Sequence, residues 1–435
     1  MGRKASSSPR HNDTIKHDDN ELDKVREVCG YKFLQEEATI KHIKQCHIMF
    51  IMRGLPGSGK STLVKLIEST YKTAQSCSAD MFCMKDGEYE YEAEKVSEGH
   101  EKCQAKAKEL CDNKHQHIIV DNTHIQHWEL RYYFNLAARA GYSVIIVLPK
   151  TAWRFDPVQL AIKNTHNVPE EALRLKLKKF QPVLPLYFGW FVNQSTKLEM
   201  ELGFHKILKQ ITKIGSLKEE LEKFCPSAGE GIDSLLHRYA VPEGPFHITA
   251  KYNGLKPDKS EDALEYADKD VVKKSLGQLF QISIIGYILT PSIIGARIRL
   301  NSRQKQLWAQ DDTEGLDSLS NNKTEVNLAL TTVSNKEYTC EVSGKGKCDT
   351  FKTSFRPTHG LGSRAHMTLG CGPDSQPVQT GLDLVDIIDC ESKTSNNFHY
   401  MQIEGAKVRY YGKGRCAIYL EDFVKVNTIF SGFYV

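Results

Sequence analysis

The chain has 435 residues, 40% hydrophobic and 26% charged, with a formal net charge of +4. That length exceeds what one hydrophobic core usually organises and predicts two domains plus tails, in a composition ordinary for a soluble globular protein. No two of the twelve cysteines form a C-x-x-C pair, which excludes zinc-knuckle and redox-motif readings, and so mild a charge permits an anionic ligand without demanding one.

Residues 1–45 read as a disordered polar and basic tail with a short lead-in, Ser6, Ser7, Ser8 and Pro9 falling in a row. Met1-Gly2-Arg3-Lys4-Ala5-Ser6 fits the N-myristoylation pattern at Gly2, with Arg3, Lys4 and Arg10 as the electrostatic second signal that one acyl chain needs. A plain basic tail is the other reading. Scattered thiols and the lack of a secretory leader predict a cytoplasmic protein, peripheral at membranes through this N-terminus. The longest apolar stretch, Ile284 to Ile298, is interrupted by Thr290, Pro291 and Ser292 and is too short to span a bilayer.

Residues 46–225 are expected to form an α/β domain with a parallel sheet. Apolar strand-like runs at His47–Met52, His117–Val120 and Tyr142–Leu148 alternate with helical stretches at Glu92–Cys111 and Trp128–Ala140. Between the first run and a helical pattern lies Gly54-Leu55-Pro56-Gly57-Ser58-Gly59-Lys60-Ser61-Thr62, the phosphate-loop spacing in its required strand-then-helix context. Its glycines let backbone N–H groups point at phosphate oxygens, Lys60 would reach the terminal phosphates, and Ser61 would hold Mg²⁺ of bound ATP or GTP. Asp80 and Asp121 fall where strands should end, at the ligand crevice. Each would support Mg²⁺ or act as a base towards an acceptor hydroxyl, or else simply cap a helix.

A Pro-, Gly-, Ser- and Glu-rich linker is expected at 226–244. The second domain, 245–435, changes to longer strand-like runs at Phe246–Tyr252, Phe280–Leu289 and Ala296–Leu300, with one helix over Ser260–Leu276 and a polar surface insertion at about 303–358. A helix near Leu382–Cys390 and two terminal strands complete it.

Two elements in this domain carry chemistry: His247-Ile248-Thr249 and His366-Met367-Thr368. On a strand, residues two apart project from one face, so each element offers an imidazole and a hydroxyl to the same space. Two such strands side by side would surround a phosphate-sized hollow. One imidazole takes a proton from water, the other protonates the leaving ribose oxygen, and the threonines hold the oxygens where charge gathers. Histidine suits both tasks because its pKa lies near neutrality, and ring strain in the substrate removes the need for a metal. Two matches among sixteen histidines is what chance alone would give; the apolar strand-like surroundings lift the signal.

The segments Arg53–Thr62, Pro149–Arg154, Leu184–Phe191, Ser363–Cys371 and Gln376–Leu384 resemble the vertebrate-type 2′,3′-cyclic nucleotide 3′-phosphodiesterases of the 2H phosphoesterase superfamily. The likeness runs from about residue 30 to the end, apart from the insertion. It implies a polynucleotide-kinase-like P-loop domain, an α+β phosphodiesterase domain with two-lobed antiparallel sheets, and hydrolysis of nucleoside 2′,3′-cyclic phosphates to 2′-phosphates. By the same resemblance His366 is the base and His247 the acid, Thr249 and Thr368 bind phosphate, Tyr252 stacks on the base, and Arg364 lies near the site. The resemblance also leaves room for RNA-end repair with 5′-hydroxyl kinase activity, or for an RNA-binding scaffold at membranes or cytoskeleton. The family's prenylated cysteine tail has no counterpart in the terminal Ser431-Gly432-Phe433-Tyr434-Val435, so no prenyl anchor is expected.

Overall fold

The computed structural model describes residues 25, 29–82, 84–85, 88–89, 93–224, 238–242, 244–255, 260–310, 312, 360–393 and 400–435. Gly2, most of the linker and most of the insertion lie outside the described residues.

The first sheet has four parallel strands: β1 (Ile48–Met52), β2 (Gln75–Cys77), β3 (His117–Asp121) and β4 (Ser143–Val147), in the order β2-β3-β1-β4. β1 is apolar throughout and wholly buried, as a central parallel strand covered on both faces must be. Helices α1 (Lys60–Thr70), α2 (Ala93–Asp112) and α3 (His127–Ala140) pack on it through Leu66, Leu110 and Leu130. Register pairs Met52 with both Asp121 and Val147, so the phosphate loop and Asp121 leave the sheet at one end.

The second sheet has eight antiparallel strands: β5 (Tyr187–Val192), β6 (His247–Tyr252), β7 (Gln278–Leu289), β8 (Ile293–Arg299), β9 (His366–Cys371), β10 (Met401–Ile403), β11 (Ala406–Tyr410) and β12 (Cys416–Phe433). The path runs β9-β8-β7-β12-β11-β10, and β5 joins β12 to β6. β7 and β12 are long enough to serve both lobes, with a register shift between Tyr419 and Val424 marking the bend. One lobe therefore ends in β6 and the other in β9, the strands bearing the two His-x-Thr elements. The aromatic core behind them centres on the fully buried Trp190, whose ring lies 5.5 Å from Phe430.

Three expected boundaries shift. β5, placed by the sequence in the first domain, pairs with β12 and β6 through its hydrophobic Phe188, Trp190 and Val192, and so belongs to the second sheet. The lead-in is ordered from Cys29: Lys32–Gln35 and Glu37–Ile43 are helical, and Phe33, Leu34 and Ile43 are fully buried against β1 and α1. Of the insertion, 303–310 is structured, because Ser302–Lys305 is helical and Leu307 and Trp308 enter the core. The helix expected over Ser260–Leu276 is two, Glu261–Asp268 and Asp270–Ser275, broken at Lys269.

The two sheets pack directly on each other. Tyr434 stacks on Phe134 at 4.7 Å, Ile429 joins the core around Phe50, and Leu279 N–H donates to Thr39 Oγ1 at 3.2 Å. Among the described residues, no helix is long and apolar enough to cross a membrane.

Gly286, midway along β7, faces β12 so closely that a Cβ there would lie 2.2 Å from the Ile418 carbonyl oxygen. Gly286→Ala is expected to destabilise the protein by roughly 1–3 kcal/mol through strand separation, read as a lowered denaturant midpoint. An unchanged midpoint would show that the lobes tolerate being prised apart there.

Candidate active site

β6 and β9 are not hydrogen-bonded to one another, yet their Cα atoms come within 8 Å at the open ends of the two lobes. Both strands begin with the same burial alternation, His and Thr half-exposed and the residue between them buried. Ile248 and Met367, each fully buried, anchor the strands from behind. The four chemical side chains thus face the gap, as period-two geometry demands.

The two imidazoles are held alike. His247 Nδ1 lies 3.1 Å from the Pro245 carbonyl oxygen, and His366 Nδ1 lies 2.7 Å from that of Arg364. In each case the partner is two residues earlier. A carbonyl only accepts, so Nδ1 must carry the proton and Nε2 presents its lone pair to the hollow. The His247 ring also stacks on Tyr187 at 4.5 Å between centroids, and Tyr187 in turn stacks on Phe433.

Their electrostatics differ. Burial lowers the pKa of both rings. His366 is pushed down to about 4 by burial, opposed by its bond to the Arg364 carbonyl, while the positive charges of Arg364 and of a protonated His247 add to the lowering. For His247 burial is likewise opposed by its carbonyl bond, to Pro245, and no cation beside it adds to the lowering.

Thr249 Oγ1 has no hydrogen-bond partner among the described residues, whereas Thr368 Oγ1 lies 2.8 Å from Thr380 Oγ1 and 3.2 Å from the Pro377 carbonyl oxygen. Helices α4 (Pro157–Lys163) and α5 (Glu170–Lys178) pack over Leu55 of the phosphate loop, and Thr380 opens the later helix α6 (Gln379–Lys393). A Cβ at Gly381 would fall 3.0 Å from His366 Cε1 and 2.8 Å from Arg364 Nε, so only glycine lets the helix start come this near the motif. Arg364 is buried beside His366. Its backbone N–H donates to Asp312 Oδ1, while Gly362 N–H and Trp308 Nε1–H donate to Asp312 Oδ2. Tyr252 is 55% exposed at the end of β6, in register opposite Tyr187.

Sequence reasoning named neither Tyr187 nor Thr380 and Gly381 as site residues. They lie inside the Leu184–Phe191 and Gln376–Leu384 segments, whose contribution only the three-dimensional approach of β5 and α6 reveals.

In the first domain the phosphate loop has the backbone its glycines permit: φ is 137° at Gly54, 78° at Gly57 and 103° at Gly59. A Cβ at Gly57 would meet the Leu160 carbonyl oxygen at 2.6 Å. Thr151 Oγ1 donates to the Ser58 carbonyl and Trp153 Nε1 to that of Gly57, bracing the loop from the Pro149–Arg154 segment. Ser58 Oγ is buried with no partner among the described residues. Lys60 Nζ donates to the Leu55 carbonyl at 3.3 Å; burial lowers its pKa, while the nearby Asp121 and Asp80 carboxylates oppose the shift. Burial raises the pKa of Asp121, against the pull of Lys60. Ser61 and Thr62 follow Lys60 in the first turn of α1.

A family profile described as 2′,3′-cyclic nucleotide 3′-phosphodiesterase matches residues 184–334 and 347–435, and one described as an AAA domain matches 49–183. The junction at 183/184 agrees with the placement of β5 in the second sheet. The chain is 32% identical over 408 residues to the 2′,3′-cyclic-nucleotide 3′-phosphodiesterase of Rattus norvegicus, covering 93% of this chain and 87% of the relative. It is likewise 32% identical over 411 residues to the enzyme of that name from Pongo abelii, with the same coverages. Human NEDD4-binding protein 2 is 35% identical over 134 residues, 31% of this chain and 8% of that protein. Among solved structures, a fungal RNA kinase aligns over 89% of this chain and 99% of its own, at 10% identity and a TM-score of 0.26. With two facing His-x-Thr strands and the whole-length likeness in hand, the chain belongs to the 2′,3′-cyclic nucleotide 3′-phosphodiesterase family.

Proposed function

We propose that this chain hydrolyses nucleoside 2′,3′-cyclic phosphates to nucleoside 2′-phosphates, with His366 as base and His247 as acid. The observation that supports the reading is the matched pair of Nδ1–carbonyl bonds, which leaves Nε2 of each ring as the lone-pair nitrogen on two strands that approach one another. Water loses a proton to His366 Nε2 as its oxygen bonds to phosphorus. The P–O3′ bond breaks, and His247 delivers the proton that O3′ needs. Thr249 donates to a non-bridging oxygen, and Thr368 exchanges its bond to Pro377 for the opposite one. Arg364 adds positive charge where the phosphorane gathers negative charge, and the same field adds to the burial that lowers the His366 pKa.

His247→Ala or His366→Ala is expected to lower kcat for a 2′,3′-cyclic nucleotide by about 10²–10⁴-fold, while EDTA leaves the wild type active. Near-wild-type turnover in either variant would sink the assignment. The pH profile offers a sharper check. kcat/KM should rise with pH through about 4 as His366 becomes neutral, then fall at a pH below the ordinary imidazole value of 6.5 as His247 loses its proton. Arg364→Gln should move the acidic limb upward, because the field that disfavours protonated His366 is gone. An acidic limb that stays where it was would contradict the division of roles.

For the first domain we infer that the crevice takes ATP or GTP with Mg²⁺. The support is a glycine cradle in which a Cβ at Gly54 or Gly57 would collide with its neighbours, an orphaned buried Ser58 hydroxyl, and Lys60 close to two carboxylates. Gly57–Ser61 N–H groups and Lys60 would hold the phosphates, Ser61 with Asp121 or Asp80 would hold the metal, and the metal would supply charge neutralisation for phosphoryl transfer. Lys60→Ala should weaken ATP binding at least tenfold by calorimetry; equal affinity would remove this reading.

A further inference from the structure

The two motif threonines are held differently. Thr368 Oγ1 sits between the Pro377 carbonyl oxygen at 3.2 Å and Thr380 Oγ1 at 2.8 Å, whereas Thr249 Oγ1 has no such partners among the described residues. A hydroxyl carries one hydrogen, and a carbonyl can only accept. When the Thr368 hydrogen goes to Pro377, the Thr380 hydroxyl must be the donor in the second bond. Thr380 Oγ1 has no other partner among the described residues, so its own hydrogen is committed to Thr368.

Thr380 is fully buried, and the strands make room for it. β8 shifts register between Ile294 and Gly295, and Gly295 stands opposite Thr368. A Cβ at Gly295 would fall 2.6 Å from Thr380 Cγ2, so the glycine admits that methyl group. A methyl lodged in this notch confines the χ1 rotation of Thr380, which fixes where its hydroxyl lies. One turn further along α6, Asp383 clasps the helix to the turn joining β7 and β8. Its carboxylate accepts from the Thr290 hydroxyl and from Gln379 Nε2 at 2.7 Å. Thr290 is itself buried, and its Oγ1 accepts from the Ile293 N–H at 3.0 Å. The first turn of α6 is thus pinned to the sheet at Thr380 and again at Asp383.

A hydroxyl that accepts one hydrogen bond donates the next more strongly, because the two polarise each other. We propose that Thr380 is a positioning residue for the hydrolysis: its hydroxyl donates to Thr368 Oγ1 and holds that oxygen in place, while the single Thr368 hydrogen swings from the Pro377 carbonyl to a non-bridging phosphate oxygen. The swing needs only rotation about the Thr368 Cβ–Oγ1 bond. Thr380 acts through Thr368 alone. This rests on the phosphodiesterase reading and adds to it the group that readies one of its two phosphate donors.

Thr380→Val keeps the outline of the side chain and removes the donor. With a 2′,3′-cyclic nucleotide it should lower kcat about tenfold, the worth of one hydrogen bond, with KM changed by less than about threefold. Thr380→Ser restores the hydroxyl and should recover most of kcat. In a Thr368→Val background, adding Thr380→Val should cost almost nothing further, because the group it serves has gone. Damage to packing alone would lower kcat in both backgrounds. Should valine prevent folding, Thr380→Ala carries the same two-background comparison. Wild-type kcat in Thr380→Val, a serine variant as slow as the valine one, or an undiminished second loss in the Thr368→Val background would each overturn the proposal. The underlying reading fails separately. Near-wild-type turnover by His366→Ala refutes it whatever Thr380 does, whereas an inactive His366→Ala beside an unimpaired Thr380→Val removes only the positioning role.

Discussion

Everything in the second domain hangs on the pairing of β7 with β12. These strands run together from Gln278–Phe430 to Leu289–Cys416, interrupted once near Tyr419. One half of the pair supports β5 and β6, the other supports β8 and β9. Because the bend lies between the halves, the outermost strands of the two lobes turn towards each other. Neither His-x-Thr element could meet its counterpart by local folding alone. Long-range strand pairing, with β12 arriving last in the chain, brings them together.

The gap so formed is nearly symmetric in backbone and asymmetric in charge. Each imidazole has its Nδ1 on a carbonyl two residues back, so the strand geometry that aims the ring also selects its tautomer. Symmetry ends at Arg364, which has its guanidinium beside one ring only. Two chemically identical groups thereby sit in different electrostatic surroundings, the condition under which an acid–base pair can divide its tasks. The close start of α6 adds a directional field from its N–H groups, which only Gly381 permits at that distance.

Much of this was legible in the sequence for physical reasons. The phosphate loop, with its special φ angles at Gly54, Gly57 and Gly59, cannot be built from other residues, so its pattern survives as text. The His-x-Thr spacing reports its own side-chain direction. Less legible were features that depend on tertiary neighbours. Phe188, Trp190 and Val192 read as a buried strand in either domain, and only their partners β6 and β12 decide which. The lead-in helices are four and seven residues long, too short to announce themselves by periodicity, and are held by the burial of Phe33, Leu34 and Ile43. Tyr187 stacks on His247 across strands, a relation that no spacing within the chain encodes.

Asp312 gives the second lobe an unusual freedom. Its carboxylate gathers N–H groups from Trp308 on one side of the long insertion and from Gly362 and Arg364 on the other. The two ends are thus knotted at the foot of β9. Because loop-closure entropy grows only logarithmically with length, a chain tied at both ends by one carboxylate tolerates a change in the number of residues between the ties at small thermodynamic expense. An engineer can use the same latitude, grafting a fluorescent reporter or an affinity handle there while the catalytic strands keep their register.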